Sequence, residues 1–312
     1  MTLTAIQATA ELGIIYAIMA LGVFISFRTL NMPDLTVDGS FVLGAAVSTV
    51  LCSIGQPILG MVIAFAAGCI AGSLTALLHT KLKIQPLLAG ILMMLALYSI
   101  NLKVMGGRPS ISLLNKSTIF IAFEGLAIED YSRLITSFLI LLGILIVLFL
   151  FLKTRLGFVL RATGDNDHMV RALGVNTDFT KLIGLALSNG LVSLSGAMIA
   201  QYQLFADISM GTGMVVIGLA SVIIGEVIFG VKPLIRRLIA VILGSVLYRF
   251  IIAFALELGM PPTDLKLVSA AIVAIALSVP VIKEKVFKAR KGLAIVVRKI
   301  LAIVDSKRKE RG

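Results

Sequence analysis

Four ionisable side chains sit inside or against long apolar runs: Asp34 and Asp38 in NMPDLTVDGS, Glu226 in SVIIGEVIFG and Arg249 in SVLYRFIIAF. A charge at membrane depth costs several kcal/mol unless it meets a partner, water or a ligand. Each is therefore a candidate for lining a path taken by a polar solute. Each also has a structural reading. Asp34 or Asp38 would cap a helix that starts near Val37, and Arg249 would form an ion pair with Glu226 or Glu257. Signs of catalysis are missing from the sequence. It has no GxxxxGK[ST] phosphate loop, no HExxH and no nucleophile–base arrangement. Cys52 and Cys69 lie in apolar runs without ligand spacing and read as small packing residues. His79 and His168 have no neighbouring Cys or second His, which gives no reason to place a metal.

The second stretch with chemical content is RLGFVLRATGDNDHMVRALGVNTDFTK, Arg155 to Lys181, a polar interruption between two apolar runs. Asp165 or Asn166 can accept from the first free N–H groups of a short helix, and Gly174 follows Leu173 as a left-handed stop. Between them Met169, Val170, Ala172 and Leu173 give an apolar face. A capped, partly apolar helix held between two membrane spans reads either as a docking surface or as a solvated loop.

These residues need a scaffold, and the composition says which kind. The chain has 312 residues, of which 59% are hydrophobic and only 14% charged, with a mean hydropathy of +1.06. Soluble domains carry about a quarter charged residues, so this is an integral membrane protein. Continuous apolar runs such as Leu134 to Leu152 exclude a β-barrel, whose strands alternate. The expected fold is an all-α polytopic bundle of about nine membrane segments. Apolar runs are read at Leu12–Phe27, with room for a start one or two turns earlier, and at Phe41–Ile54, Ile58–Leu78, Ile84–Leu102, Leu134–Leu152, Leu182–Gln201, Met214–Phe229, Leu238–Leu258 and Leu267–Ile282. The first is read as a retained span rather than a signal peptide. The second and seventh are short and each follows a polar break, a pattern that points to a transport pathway and hints at two related halves. Pairs such as Gly68 with Gly72 and Gly190 with Gly196 read as helix-packing contacts.

The net charge of +12 concentrates at Arg28, Lys81, Lys83, the Arg155–Lys181 loop, Lys232, Arg236, Arg237 and the tail. Placing those cations on the cytoplasmic side puts the N-terminus outside and the C-terminus inside. Residues 1–282 form the transmembrane domain. Residues 283–312 form a basic tail whose interleaved apolar residues suit an anionic membrane surface rather than nucleic acid.

NMPDLTVDGSFVLGAAV and RATGDNDHMVRALGVNTDFTKLIGLALSNGLVSLSGAMIA resemble the permeases of branched-chain amino acid and ribose-type ABC importers. The likeness covers roughly Gly13 to Val281. The NMPDLTVDG form is most similar to a subgroup of amino-acid importers, some linked to tryptophan or tyrosine. The resemblance implies an ABC importer permease fold in a bacterial plasma membrane, paired with a second permease copy or a paralogue. It implies separate ATPase subunits that hold the ATP, so that this chain needs no cofactor, and an extracytoplasmic binding protein or lipoprotein that delivers a small polar solute. Gly164, Asp165, Asn166, Met169, Arg171, Ala172, Leu173 and Gly174 would then form the helix that couples to the ATPase. The competing class is a stand-alone secondary transporter or channel, which would need coupling-ion sites among Asp34, Asp38, Glu226 and Arg249.

Overall fold

A computed structural model describes residues 2–122, 131–261, 264, 267–274 and 278. Among them, seven helices are long and apolar enough to cross a membrane. They are α1 (Leu3–Val23, extended by a π-helical turn over Phe24–Thr29), α2 (Thr36–Ser53), α3 (Pro57–Thr80), α4 (Pro86–Val104), α6 (Ser132–Lys153), α9 (Thr177–Gln203) and α11 (Leu234–Glu257). The apolar α10 (Met214–Phe229) is shorter. Two polar helices, α7 (Arg155–Asp165) and α8 (Asp167–Ala172), join α6 to α9. The expected count of about nine thus resolves into seven full-length spans and one shorter helix among the described residues. Of the ninth run, residues 267–274 are helical. The basic tail lies outside the described residues, as do residues 123–130, which follow α5 (Ile119–Ala122).

Local chemistry sets the helix starts. Pro57 and Pro86 occupy the first turns of α3 and α4, where a missing N–H costs nothing. Thr2 accepts from Ala5 N at the head of α1, and Asn176 accepts from Asp178 N and Phe179 N at the head of α9. Capping moves both starts upstream of the purely apolar runs: α1 begins at Leu3, just beyond the one or two turns allowed before Leu12, and α9 at Thr177 rather than Leu182. The all-α expectation needs one addition. β1 (Ser110–Ser112) and β2 (Phe205–Asp207) pair antiparallel, with Ile111 opposite Ala206.

The bundle is organised around α9, which packs on α3, α2 and α1. Its run SNGLVSLSGA is buried except for the half-buried Leu194. Glycines there and on its neighbours bring backbones together: Gly68 faces the Asn189 carbonyl, Gly72 that of Leu185, Gly44 that of Ser193, and Gly196 that of Phe41. Lipid supplies no hydrophobic drive between helices, so close approach and the dispersion it allows hold them. Serine hydroxyls then donate across the gaps, Ser188 to Gly22 O at 2.7 Å, Ser193 to Ala64 O at 2.6 Å and Ser195 to Ile15 O at 2.9 Å. Such bonds contribute about 0.6 kcal/mol each.

Candidate functional site

The break between α1 and α2 lies within the bundle. The π turn widens the end of α1, with Leu30 N donating to Ile25 O and Met32 N to Ser26 O. The chain then turns back through Asn31, whose φ is +53°. Asp34, only 1% exposed, ties this return to two helices. Its Oδ1 accepts from Thr36 N at 2.9 Å, at the start of α2. Its Oδ2 accepts from Asn189 Nδ2 of α9 at 2.7 Å, while Ser40 Oγ donates to Asn189 Oδ1 at 2.7 Å. Thr36 and Thr75 hydroxyls bond at 2.9 Å, which adds α3. Asp34 is therefore a buried fastening, and the helix-cap alternative holds for it.

Asp38 does something else. It sits in the first turn of α2 but caps a different helix. Its Oδ2 accepts from Gly213 N at 3.0 Å and its Oδ1 from Val215 N at 2.9 Å, at the start of α10. Gly213 takes φ +86° at this cap, a left-handed conformation that suits glycine. Asp38 also borders a cleft of about 270 Å³, together with Gly39, Val42, Met94, Leu95, Tyr98, Asn101 and the Ile208–Thr212 turn. The expectation that Asp34 or Asp38 caps the helix near Val37 is thus met by Asp34 alone.

Glu226 and Arg249 do not meet. In the last turn of α10, Glu226 accepts from Arg28 Nε and Arg237 Nε, both at 2.7 Å. It thereby locks the ends of α1, α10 and α11 together, and its own side chain is 3% exposed. Arg249 lies about 18 Å further along α11 than Arg237, out of Glu226's reach, which overturns the proposed pairing of those two. Its guanidinium instead lies 3.5 Å from the centre of the Tyr16 ring, and Tyr16 stacks on Phe41 at 6.0 Å. Its Nε has no hydrogen-bond partner. A cation over an aromatic face is stabilised by the ring quadrupole, more so when desolvated.

The Arg155–Lys181 stretch holds two helices where one was expected. Asp165 closes α7, and Asn166 is the cap of α8, accepting from Met169 N at 3.0 Å. Gly174 ends the unit at φ +82°. Gly164 is a contact residue, since α7 rests there against the Thr29 carbonyl at the end of the π turn and a Cβ would not fit. Charges pin α8 to the first turns of α9. Lys181 Nζ donates to Asp167 Oδ2 at 2.7 Å, and Arg171 donates to Thr177 Oγ1 at 2.7 Å and to Asp178 Oδ1 at 2.6 Å. Burial works against ionisation of Asp167. The hydrogen bonds from Lys181 and Thr177 and the charges of Lys181 and Arg171 outweigh it and hold its pKa below the usual carboxylate value. Within α8 only Val170 is buried. Ala172 is exposed, as are Met169 at 51% and Leu173 at 73%. Phe158 and Phe179 flank them and are exposed too.

Sequence reasoning overlooked Asn189 and Asn101, each a lone amide in an apolar run, and Glu11. Glu11 is buried in α1, where it accepts from Gln7 Nε2 at 3.1 Å and Tyr202 OH at 2.8 Å. The same rule that flagged Asp34 would have found all three.

A family model described as branched-chain amino acid transport system / permease component matches residues 5–277. The chain belongs to this permease family. The permease is a multi-pass membrane protein and a component of an ABC-type transport system, a transporter subunit rather than an enzyme. It is 42% identical over 263 residues to the tyrosine transport system permease protein of Clostridioides difficile, covering 84% of this chain and 86% of that one. It is 36% identical over 273 residues to an uncharacterized protein of Rickettsia prowazekii, covering 86% and 95%. It is 24% identical over 265 residues to the ribose import permease of Escherichia coli K12, covering 84% and 81%. No solved structure matches the permease.

Proposed function

We propose that this chain is the membrane-spanning subunit of an ATP-driven importer of an amino acid, and that α7 and α8 form the joint with a separate ATPase. The observation that carries the reading is the pairing of exposure with rigidity on α8. Met169 and Leu173 stand out from a helix that ion pairs hold to α9 and that α7 connects, through Gly164, to the end of α1. A soluble groove that takes an amphipathic helix would cover those side chains. A push on α8 would then reach α9 and the Asp34 break directly, which is what alternating access requires.

On this reading the cations at Arg28, Arg161, Arg171 and Arg237 mark the cytoplasmic side of a bacterial plasma membrane, with the N-terminus outside and the C-terminus inside. ATP is held by the partner ATPases, and a second permease copy or a paralogue completes the pathway. A binding protein outside presents the solute, and the permease itself carries no cofactor. The amino-acid class rests on the likeness to the tyrosine permease. Stand-alone ion-coupled transport has less support, because Asp34 and Glu226 are both committed to protein partners.

The test is Leu173→Asp. A charge in an apolar interface costs several kcal/mol, so the ATPase that co-purifies with the wild-type permease should be lost, and substrate-stimulated ATP hydrolysis with it. Membrane insertion should be unchanged. Normal co-purification with normal stimulated hydrolysis would remove α8 from the joint.

A further inference from the structure

We propose that the cleft between α2, α4 and the entry to α10 is a binding subsite for a primary ammonium group, with the Asp38 carboxylate and the Asn101 side-chain oxygen as its acceptors. The proposal deepens the importer reading and rests on it for one point only, that the ammonium belongs to the transported amino acid.

Two independent observations point to a ligand. The first is Asn101 in the penultimate turn of α4. It is 1% exposed and lines the cleft. Its Nδ2 donates to Gly39 O at 3.0 Å, next to Asp38 in the chain. That bond fixes which end of the amide is which, and Oδ1 is left with no hydrogen-bond partner. A buried acceptor without a donor is destabilising, which a ligand N–H would relieve. The second is the Asp38 carboxylate itself. It takes one backbone N–H on each oxygen, from Gly213 and Val215, and a carboxylate has roughly four lone-pair sites. Among the described residues no side-chain cation is seen paired with it.

The remaining lining suits an amphiphile. Tyr98 and Thr212 add hydroxyls, and Val42, Met94, Leu95 and Ile208 give an apolar wall. A small molecule with an ammonium head and an apolar body matches both parts. The position also fits entry. α9 runs about 40 Å between its ends, with α8 before its start and β2 just after its last turn. The Ile208–Thr212 side of the cleft directly follows β2, so the cleft lies toward the end of the bundle away from α8.

The experiment follows modification of Thr212→Cys in full-length permease carrying Cys52→Ala and Cys69→Ala, held in lipid nanodiscs that leave both faces accessible. Three methanethiosulfonates are compared after normalising to their rates with a free thiol: aminoethyl, trimethylammonium-ethyl and sulfonatoethyl. The aminoethyl reagent should react about tenfold faster than the sulfonate, as focused charge in a cleft raises encounter by at least that factor. It should also outpace the trimethylammonium reagent, which has the charge but no N–H to give Asn101. Asp38→Asn should abolish the charge preference. Asn101→Leu should abolish only the advantage of aminoethyl over trimethylammonium. Equal normalised rates, a thiol that no reagent reaches because a second permease copy covers it, or preferences that survive both substitutions would each overturn the proposal. Should either substitution prevent folding, protection of Thr212→Cys decides instead. Tyramine should slow the aminoethyl reaction and 3-(4-hydroxyphenyl)propionate should not; the reverse order would overturn the site. L-Tyrosine is scored separately. If tyramine protects and L-tyrosine does not, the ammonium subsite stands and the amino-acid reading of the importer fails.

Discussion

Two of the membrane helices, α2 and α10, start inside the bundle after a polar break and solve the same problem in the same way. Each has N–H groups at its first turn with no helical acceptor, and each is given an aspartate. The surroundings of the two carboxylates differ. Asp34 is sealed, with both oxygens bonded to Thr36 N and Asn189 Nδ2. Asp38 caps across a chain separation of 175 residues and borders a cleft that also holds an unpartnered amide oxygen. A buried carboxylate closed in by the fold on every side is structure. One that borders open space is placed for a ligand, as rare intramembrane charges tend to be. The identity of the residue and the one donor on each oxygen are the same in both cases, so only the space beside the carboxylates separates the roles.

The contrast breaks most sharply at Asp34. Asp34→Leu would leave Thr36 N buried without an acceptor and Asn189 Nδ2 with only the Leu185 carbonyl, at about 1–3 kcal/mol for each bond lost. The expected outcome is a loss of several kcal/mol, read as a large fall in detergent-extracted monodisperse protein and in Tm. Asn189→Leu should be comparably harmful, since it strands Asp34 and Ser40 together. The double variant should cost much less than the sum, because the two changes remove one shared network. Additive losses would mean that the pair does not act as a unit. A mild Asp34→Leu phenotype with lost transport would make Asp34 a pathway residue and erase the distinction from Asp38.

Much of this was legible beforehand, and for a clear reason. Apolar runs and their flanking prolines are local signals, so the helices at Pro57–Thr80, Pro86–Val104 and Met214–Phe229 fell close to the sequence reading. The glycine pairs were legible as packing because small residues in apolar helices have few other uses. The Asn166 cap and the Gly174 stop were within reach for the same local reasons. Partner choice was not. Asp38 capping α10, Glu226 taking Arg28 and Arg237, and Arg249 settling on Tyr16 all join residues far apart in the chain. Nothing in a local window says which of several carboxylates an arginine will meet. The starts of α1 and α9 were misplaced because polar caps and first turns dilute the hydropathy that marks a span.

Asp38→Ala is the middle case. Losing a helix cap costs about 0.5–2 kcal/mol, so the permease should fold with a modest fall in Tm. Transport by the assembled system should fall much further than that loss of folded protein explains. Asp38→Asn keeps one acceptor oxygen for the α10 cap and should recover most of the stability while leaving transport low. If transport instead tracks Tm across both variants, Asp38 is as structural as Asp34.

The smallest effect, and the outer limit of the comparison, is expected at Asp167. It stands in the first turn of α8 and is partly exposed. It too is an aspartate at a helix start, but its partners are the cations Lys181 and Arg171. Its folded pKa lies below the ordinary value. A depressed carboxylate pKa contributes stability that is fully present above the unfolded value, about 3.9, and is lost as pH falls through the folded value. Its contribution should therefore be flat from neutral pH down to about 4 and fade only below that. The magnitude should stay under about 1 kcal/mol, as for other part-exposed pairs. The measurement is the difference in Tm between wild type and Asp167→Asn as pH is lowered from 7 to 3. A gap that is constant to about pH 4 and then closes fits a solvent-screened pair. A gap that closes already between pH 7 and 5 would mean that Asp167 titrates high, as a desolvated carboxylate does. The α8 joint would then need the same sealed-environment account as Asp34.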